Sequence, residues 1–209
     1  ISCGKSSKEV FRIDSLNDSC WQSSLWISVA NAPVVKEKVY DGTRAADGTS
    51  WFMSTVKNDK KVSRALWMTT GLGVYEIYVN GKLVGDEILK PGFTHYEKTK
   101  LSFTYDVTGC FKTASGDENV LSAQVTPGWW ADKIITPGGH DGMIGKKCAF
   151  RGVLELTYTD GSKELYGTNI EDWKAGIAGP VTHAAIFDGE EYDARIPLCL
   201  LYTSPSPRD

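Results

Sequence analysis

Apolar and polar residues alternate along most of the chain from Leu25 onward, and this pattern predicts short β-strands. In the segment 62–70 it places Val62, Leu66 and Met68 on one side of a strand. No helical periodicity continues beyond about two turns, so the chain is predicted to be all-β. The predicted strands are 25–29, 51–56, 62–70, 74–79, 82–84, 101–107, 119–126, 149–159, 164–167 and 192–196.

Turn residues between these runs indicate antiparallel neighbours. Asn80-Gly81 lies between two apolar runs and predicts a tight hairpin, because a type I′ turn needs positive φ at both central residues. Asp160-Gly161 predicts a second hairpin. Many short strands with glycine-rich turns favour an antiparallel sandwich or barrel. The connection at 127–148 is long and glycine-rich, and such loops are usually functional or mobile.

The composition adds limits on partners. Apolar residues make up 41% and charged residues 23% of 209 residues, which suits one or two domains with a sizeable core. The net charge of -3 predicts no basic face, so nucleic acid is not an expected partner. The 7 Trp and 9 Tyr residues suit a sandwich core, or the binding of sugars whose C–H faces stack on flat rings.

Five cysteines are present, without a CxxC pair or a Cys/His cluster, so a zinc site is disfavoured. The odd number makes a complete disulfide framework improbable but leaves one bridge open. No D-x-D-x-D-G loop is present. No cofactor is therefore expected, with calcium left open and its ligands unknown.

The two ends differ from the middle. Ile1-Ser2-Cys3-Gly4 resembles the end of a bacterial lipoprotein signal, in which the cysteine is lipidated. Residues 1–21 would then be a tether on an exported, periplasmic or cell-surface protein that contacts the membrane only through Cys3. The alternative is an ordinary cysteine at a truncated end. Residues 198–209 resemble a non-native tail from sequencing read-through, or else a Ser/Pro linker.

A family resemblance rests on an ordered series of motifs. The segment from Gly71 to Lys98 resembles the N-terminal domain of bacterial α-L-rhamnosidases: a G-x-Y-E-x-x-x-N-G hairpin, V-G-D, and L-x-P-G-[aromatic]-T-x-Y. Tyr105-Asp106-Val107-Thr108, Gly128-Trp129-Trp130 and the segment D-G-E-E-Y-D-A-R at 188–195 match in the same order. The chain departs from the family at Phe93, where Trp is usual, and at Thr126-Pro127.

The resemblance implies an antiparallel jelly-roll β-sandwich of the galactose-binding-like type over residues 22–197. In this family the module precedes an (α/α) barrel that hydrolyses terminal L-rhamnose from glycosides with inversion. The acid and base carboxylates of that reaction lie on the barrel, so no catalytic residue is expected here. We expect an accessory module for substrate recognition or domain packing, with the downstream domains of the same chain as partners.

Two alternatives stay open at this stage. One is an autonomous carbohydrate-binding module for glycans that contain L-rhamnose. The other is a sugar-binding sandwich from a different multidomain glycosidase.

Sugar-binding candidates cluster at the start of the long connection. Trp129 and Trp130 are adjacent, and in an extended chain one ring would pack inward while the other faced a sugar. Asp132 and His140 could supply polar contacts, since sugar sites combine an apolar wall with a few hydrogen-bonding groups. The alternative is that both rings pin the loop or face a neighbouring domain.

The acidic segment at 188–195 allows three interpretations. In an extended chain Asp193 and Arg195 share one face, which predicts an ion pair. This pair would be internal and structural, or would dock the next domain. A glycosidase acid/base pair is the least favoured, because the family match places this segment at the edge of the module.

Overall fold

The computed structural model of the chain describes residues 18–30, 32, 38–39, 48–133, 140–142, 144–177 and 179–196. Cys3 and the predicted tail at 198–209 lie outside these residues. The strands are β1 (Lys38–Val39), β2 (Ser50–Lys57), β3 (Val62–Leu72), β4 (Val74–Val79), β5 (Lys82–Val84), β6 (Phe103–Asp106), β7 (Glu118–Thr126), β8 (His140–Asp141), β9 (Ala149–Tyr158), β10 (Lys163–Gly167), β11 (Lys174–Ile177), β12 (Val181–Ala185) and β13 (Gly189–Tyr192). The helical segments are the 3₁₀ helices Asp18–Ser23 and Thr108–Cys110 and the one-turn helix α1 (Gly128–Ala131).

Two sheets stack on a shared core, which confirms the predicted all-β antiparallel sandwich. One sheet has four strands in the order β10-β9-β3-β6, and the other has five in the order β11-β2-β7-β4-β5. Every pairing within them is antiparallel. Two-stranded ribbons pair β1 with β8 and β12 with β13. Among the described helices, none combines the length and apolar character required to cross a membrane.

Phe150 on β9 is the centre of the core between the sheets, with no exposed surface. Its ring centroid lies 6.0 Å from Phe52 and 6.0 Å from Tyr75, which belong to the five-stranded sheet. Trp67 on the neighbouring strand β3 lies 6.2 Å away, edge-on. Aromatic pairs at these distances contribute about 0.5–1.5 kcal/mol beyond their burial of area. One side chain therefore joins the inner faces of both sheets.

The face predicted for the segment 62–70 is wrong, because a bulge shifts the register between Val62 and Arg64. An extra residue in a strand turns every following side chain to the opposite face. Val62 therefore joins the main core, whereas Leu66 and Met68 lie in a second cluster on the outer face of the four-stranded sheet. Trp21 packs against that second cluster.

Arg151 holds the 3₁₀ helix Asp18–Ser23 over this outer face. Its guanidinium donates hydrogen bonds to the backbone oxygens of Trp21 and Ser24, and its Nε donates to Ser24 Oγ at 2.9 Å. The guanidinium also lies 5.2 Å from the centroid of the Trp21 ring. The part of this face around Leu66, Met68 and Val153 is therefore covered by the chain itself.

The two predicted hairpins are present, with different turns. Asn80 has φ 51° and Gly81 has φ 75°, as a type I′ turn requires. The Asn80 side chain also accepts the N–H of Val120 at 3.0 Å, which ties the hairpin to β7. In the second hairpin Gly161 has a positive φ of 82°, but Asp160 does not. This turn is therefore not of type I′, which needs positive φ at both central residues.

Several predicted elements differ from the structure. The segment 25–29 forms one isolated bridge, between Ile27 and Phe150, instead of a strand. The last predicted strand, 192–196, is wrong: β13 ends at Tyr192 and a turn follows. The pattern missed β11 and β12, and it gave no helix where α1 lies. The bridge left open for the cysteines is present at Cys110, which is disulfide-bonded.

The Tyr105-Asp106-Val107-Thr108 motif fastens the end of β6 to β3. Asp106 Oδ1 accepts the hydroxyl of Thr108 at 2.6 Å and its N–H at 3.1 Å. Thr108 Oγ1 in turn accepts the N–H of Ala65 on β3 at 2.9 Å. Arg64 Nε donates to the other Asp106 oxygen at 3.2 Å. Burial alone would raise the pKa of Asp106, but these contacts outweigh it and hold the pKa below its ordinary value.

We predict that Asp106→Asn changes the pH dependence of stability. A carboxyl with a lower pKa in the folded state stabilises the fold above its unfolded pKa of about 3.9 and loses this contribution as the pH falls through the folded value. The free energy of unfolding of the wild type should therefore exceed that of the variant at pH 6, and the difference should shrink toward pH 3. Urea unfolding followed by tryptophan fluorescence measures both. A difference that is constant with pH would contradict the assigned contacts.

Candidate functional site

Four aromatic rings meet where α1 approaches the loop after Pro91. Phe93 lies 6.0 Å from Trp129 and 6.1 Å from Tyr96, and Tyr96 lies 5.2 Å from Trp130, measured between ring centroids. All three contacts are edge-on. We call this cluster of Phe93, Tyr96, Trp129 and Trp130 the aromatic edge.

The rings of the aromatic edge form an inner and an outer pair. Tyr96 is buried and donates its hydroxyl to Gly92 O at 3.0 Å. Trp130 donates its indole N–H to Lys147 O at 2.9 Å, and its ring lies so close to Gly145 that a Cβ there would be 1.9 Å away. These two rings hold the loop in place.

The outer pair is available to a ligand. Phe93 is 59% exposed and Trp129 is half-buried beside it. Trp129 and Trp130 are both half-buried, but they contact different rings. The segment is helical and not extended, so the alternation expected for an extended chain does not apply to them.

Asp132 follows α1 and faces inward. Its Oδ1 accepts the N–H of Lys133 at 2.7 Å, and its Oδ2 accepts the N–H of Ile186 at 2.9 Å. Only 5% of the residue is exposed. Burial raises the pKa of the carboxyl, although the two backbone N–H groups oppose the change. Oδ2 therefore ties the end of α1 to the turn after β12, whereas Oδ1 makes a local bond, and the predicted contact with a sugar would have to displace one of these bonds.

The structure brings Trp129, Trp130 and Asp132 together on α1 and the residue after it, but it does not test whether His140 joins them. His140 lies on β8, opposite Val39 of β1, and its side chain is outside the described residues.

Asp193 and Arg195 form the ion pair that the sequence predicts, within the turn after β13. Arg195 donates to Asp193 Oδ1 at 2.8 Å and to Oδ2 at 2.7 Å. This contact lowers the pKa of Asp193. The Arg195 side chain is 89% exposed, so solvent screens the pair and it contributes little to stability. The pair lies on the surface and does not anchor the core.

The other end of this segment does hold elements together. Asp188 lies between β12 and β13 and accepts a hydrogen bond from Lys133 Nζ at 2.6 Å. Only 10% of the Lys133 side chain is exposed. This contact and the Asp132 Oδ2 bond fix the β12–β13 ribbon to the end of α1.

Sequence reasoning missed a groove of about 710 Å³ between the β12–β13 ribbon and the outer face of the five-stranded sheet. Its lining includes Trp51, Glu76, Tyr78, Gln124, Glu190 and Tyr192. Gly128 also lines the groove, so its end adjoins the aromatic edge at the next residue, Trp129. The register of three strands creates this surface, and no local sequence pattern signals it.

Lys90 closes one end of the groove. It is 3% exposed, and its Nζ donates to Val84 O at 3.0 Å and lies 4.9 Å from the Tyr105 ring centroid. Burial lowers the pKa of Lys90, while nearby carboxylates such as Glu87 act in the opposite direction.

No metal cluster marks a further site in the described residues, and the buried Cys148 thiol does not provide a nucleophile. No group of three or more His, Cys, Asp or Glu residues there could hold a metal ion. Burial raises the pKa of the Cys148 thiol to about 12, which keeps it in the unreactive protonated form.

Comparison with known proteins identifies relatives. The profile of the family described as "Alpha-L-rhamnosidase N-terminal domain" matches residues 60–200. An α-L-rhamnosidase of Streptomyces avermitilis is 42% identical over 136 residues, which is 65% of this chain and 12% of that protein. One from Formosa agariphila is 29% identical over 206 residues, which is 92% of this chain and 21% of that protein. The chain thus spans about a fifth or less of the length of these curated relatives.

Solved structures give the same result. An α-L-rhamnosidase from Aspergillus terreus superposes with a TM-score of 0.73 at 28% identity, covering 87% of this chain and 20% of that one. The Streptomyces avermitilis α-L-rhamnosidase in complex with L-rhamnose gives a TM-score of 0.65 at 34% identity, covering 78% of this chain and 16% of that one.

We predict that Asp132→Ala destabilises the fold, because two backbone N–H groups lose their acceptor, at a cost of about 1–3 kcal/mol for a buried group. The pKa of Asp132 is higher in the folded state. The advantage of the wild type should therefore be smallest at pH 7 and grow as the pH falls toward the unfolded pKa of about 3.9.

Urea unfolding at several pH values measures this, with Asp59→Ala as the control, since Asp59 is exposed and its carboxylate makes no hydrogen bond within the described residues. Equal stability of the two variants would contradict the tying role of Asp132.

Proposed function

The chain belongs to the family of α-L-rhamnosidase N-terminal domains, and we propose that it is the accessory N-terminal module of an α-L-rhamnosidase. The observation that carries the proposal is the family match over residues 60–200. The relatives are several times longer than this chain. In the proposed protein, a downstream helical barrel hydrolyses terminal L-rhamnose from glycosides. The module supports substrate recognition or packs against the domains that follow.

The covered and open faces of the sandwich support an accessory role. The 3₁₀ helix Asp18–Ser23 covers part of the outer face of the four-stranded sheet. The opposite face carries the groove and adjoins the aromatic edge. Apolar side chains on its rim are exposed, with Ile88 at 88% and Leu89 at 44%. A neighbouring domain or a sugar chain would bind on this side.

A second candidate function, autonomous binding of glycans that contain L-rhamnose, is favoured by one observation. Phe93 exposes most of its ring, and the half-buried ring of Trp129 meets it edge-on, so both could contact one sugar. Calcium remains part of this candidate, so binding should be measured with and without it.

We predict that the 209-residue chain does not hydrolyse p-nitrophenyl α-L-rhamnoside, whereas the protein completed with its downstream sequence does. A chromogenic assay of both at equal concentration tests this. Sequencing the gene beyond residue 197 is the companion experiment. A reading frame that stops there, or activity of the chain alone, would contradict the accessory role.

We predict that, if the module binds sugar at the aromatic edge, Phe93→Ala weakens the binding of methyl α-L-rhamnoside. Loss of one aromatic contact corresponds to about 0.5–1.5 kcal/mol. Phe93→Trp, which restores the residue usual in the family, should strengthen binding. Isothermal titration calorimetry with and without calcium measures both variants.

The control is Ile170→Ala, which changes a side chain that is 80% exposed elsewhere on the surface. Heat of binding that is the same in all four proteins would exclude the aromatic edge. If the wild type releases no heat of binding, autonomous sugar binding is excluded and packing against the following domains is the role that remains.

A further inference from the structure

Strand register brings three chemically different side chains into one row across the outer face of the five-stranded sheet. Trp51 on β2 lies opposite Gln124 on β7, and Gln124 lies opposite Glu76 on β4. Directly opposed residues have Cβ atoms about 4.5–5.5 Å apart. The row forms the floor of the groove beneath the β12–β13 ribbon.

The aromatic part of the groove has a floor and a wall. The Trp51 and Tyr78 rings are stacked, with centroids 5.8 Å apart and planes inclined by 28°. Tyr192, which is 63% exposed, contributes a third ring from β13 on the other side. A ligand in the groove would therefore lie between aromatic surfaces, which suits the flat C–H faces of a ring.

Gln124 is the residue in the groove that most strongly indicates a bound ligand. It is 9% exposed, and its amide makes no hydrogen bond with any described residue. A primary amide offers two donors and one acceptor, and here they line the groove, where water or a ligand can bind them. The indole N–H of the neighbouring Trp51 is also buried without a partner among the described residues. Two adjacent polar groups are thus left unsatisfied by the protein at the floor of the groove.

Glu76 completes the polar set. Its Oε2 accepts the hydroxyl of Tyr78 at 2.6 Å, and its Oε1 makes no hydrogen bond within the described part of the chain. Burial first, and then Glu76, raise the pKa of Tyr78, so the phenol remains a donor to this carboxylate. An amide and a carboxylate on neighbouring strands can bind two hydroxyl groups on adjacent carbons, one through each side chain.

The charge of the groove selects against anions. Glu76, Glu87 and Glu190 line it, and the one cation among its lining residues is the buried Lys90. A neutral molecule with several hydroxyl groups fits this environment better than a phosphate, a sulfate or a uronic acid. The volume of about 710 Å³ lies within the usual range for small-molecule sites.

We propose that this groove is a glycan-binding subsite, separate from the aromatic edge, that holds a neutral sugar between Trp51 and Tyr192 with Gln124 and Glu76 as hydrogen-bonding partners. The choice of a rhamnose-containing sugar rests on the proposed function. The position of Gly128 in the groove wall places the subsite one residue from Trp129, so one oligosaccharide could contact both.

The test is calorimetric titration of the whole chain with methyl α-L-rhamnoside and with an α-L-rhamnosyl disaccharide. Gln124→Leu and Tyr192→Ala should each weaken binding by roughly threefold to tenfold, as expected for one hydrogen bond or one ring contact. Tyr192 is exposed, so its variant is expected to fold even if the Gln124 variant does not. The matched control is Leu165→Ala on β10 of the other sheet, where the side chain is 41% exposed.

The outcomes separate this inference from the proposed function. Weaker binding in both groove variants, with Leu165→Ala unchanged, supports the subsite. Binding that Phe93→Ala reduces and both groove variants retain would overturn it and leave the accessory role intact. No binding by the wild type would also overturn it. The accessory role is then judged independently, by the sequence and activity beyond residue 197.

Discussion

Packing of the two sheets around Phe150 is the constraint on which the other features depend. Its ring touches Phe52 and Tyr75 from one sheet and Trp67 from the other. Because side chains alternate along a strand, fixing the inner face also fixes the outer one. With Phe52 turned inward, its neighbour Trp51 must face outward into the groove. The core thus determines which residues the protein presents to a ligand or to a neighbouring domain.

Much of the sandwich could be predicted from the sequence, because its hairpins are local. The Asn80-Gly81 turn fixes β4 and β5 within a few residues, and apolar and polar residues alternate regularly from Leu121 to Val125 in β7. Prediction failed where the determinant was not local. A single bulge near Val62 reversed the face of Leu66 and Met68. Strand β11 was missed because three of its four residues are exposed and its pattern does not alternate.

The candidate site was harder to predict than the fold. Trp129 and Trp130 could be identified from their own sequence alone. Their packing depends on two residues in other segments, Phe93 and Lys147. The position of Asp132 depends on the N–H of Ile186, which lies 54 residues later in the chain. The row of Trp51, Gln124 and Glu76 joins three separate strands. A single sequence carries no signal for such a row until the register of the strands is known.

Arg151 fixes the 3₁₀ helix on the four-stranded sheet, so the two broad faces of the sandwich differ. The 3₁₀ helix Asp18–Ser23 lies on one broad face, whereas the β12–β13 ribbon, close to residue 196, lies on the opposite face. The backbone therefore enters on one side and departs on the other, with two sheets about 10 Å apart between these points. Segments attached at these two points are therefore held on opposite faces of the sandwich, and in the described part of the chain the groove lies on the departure side.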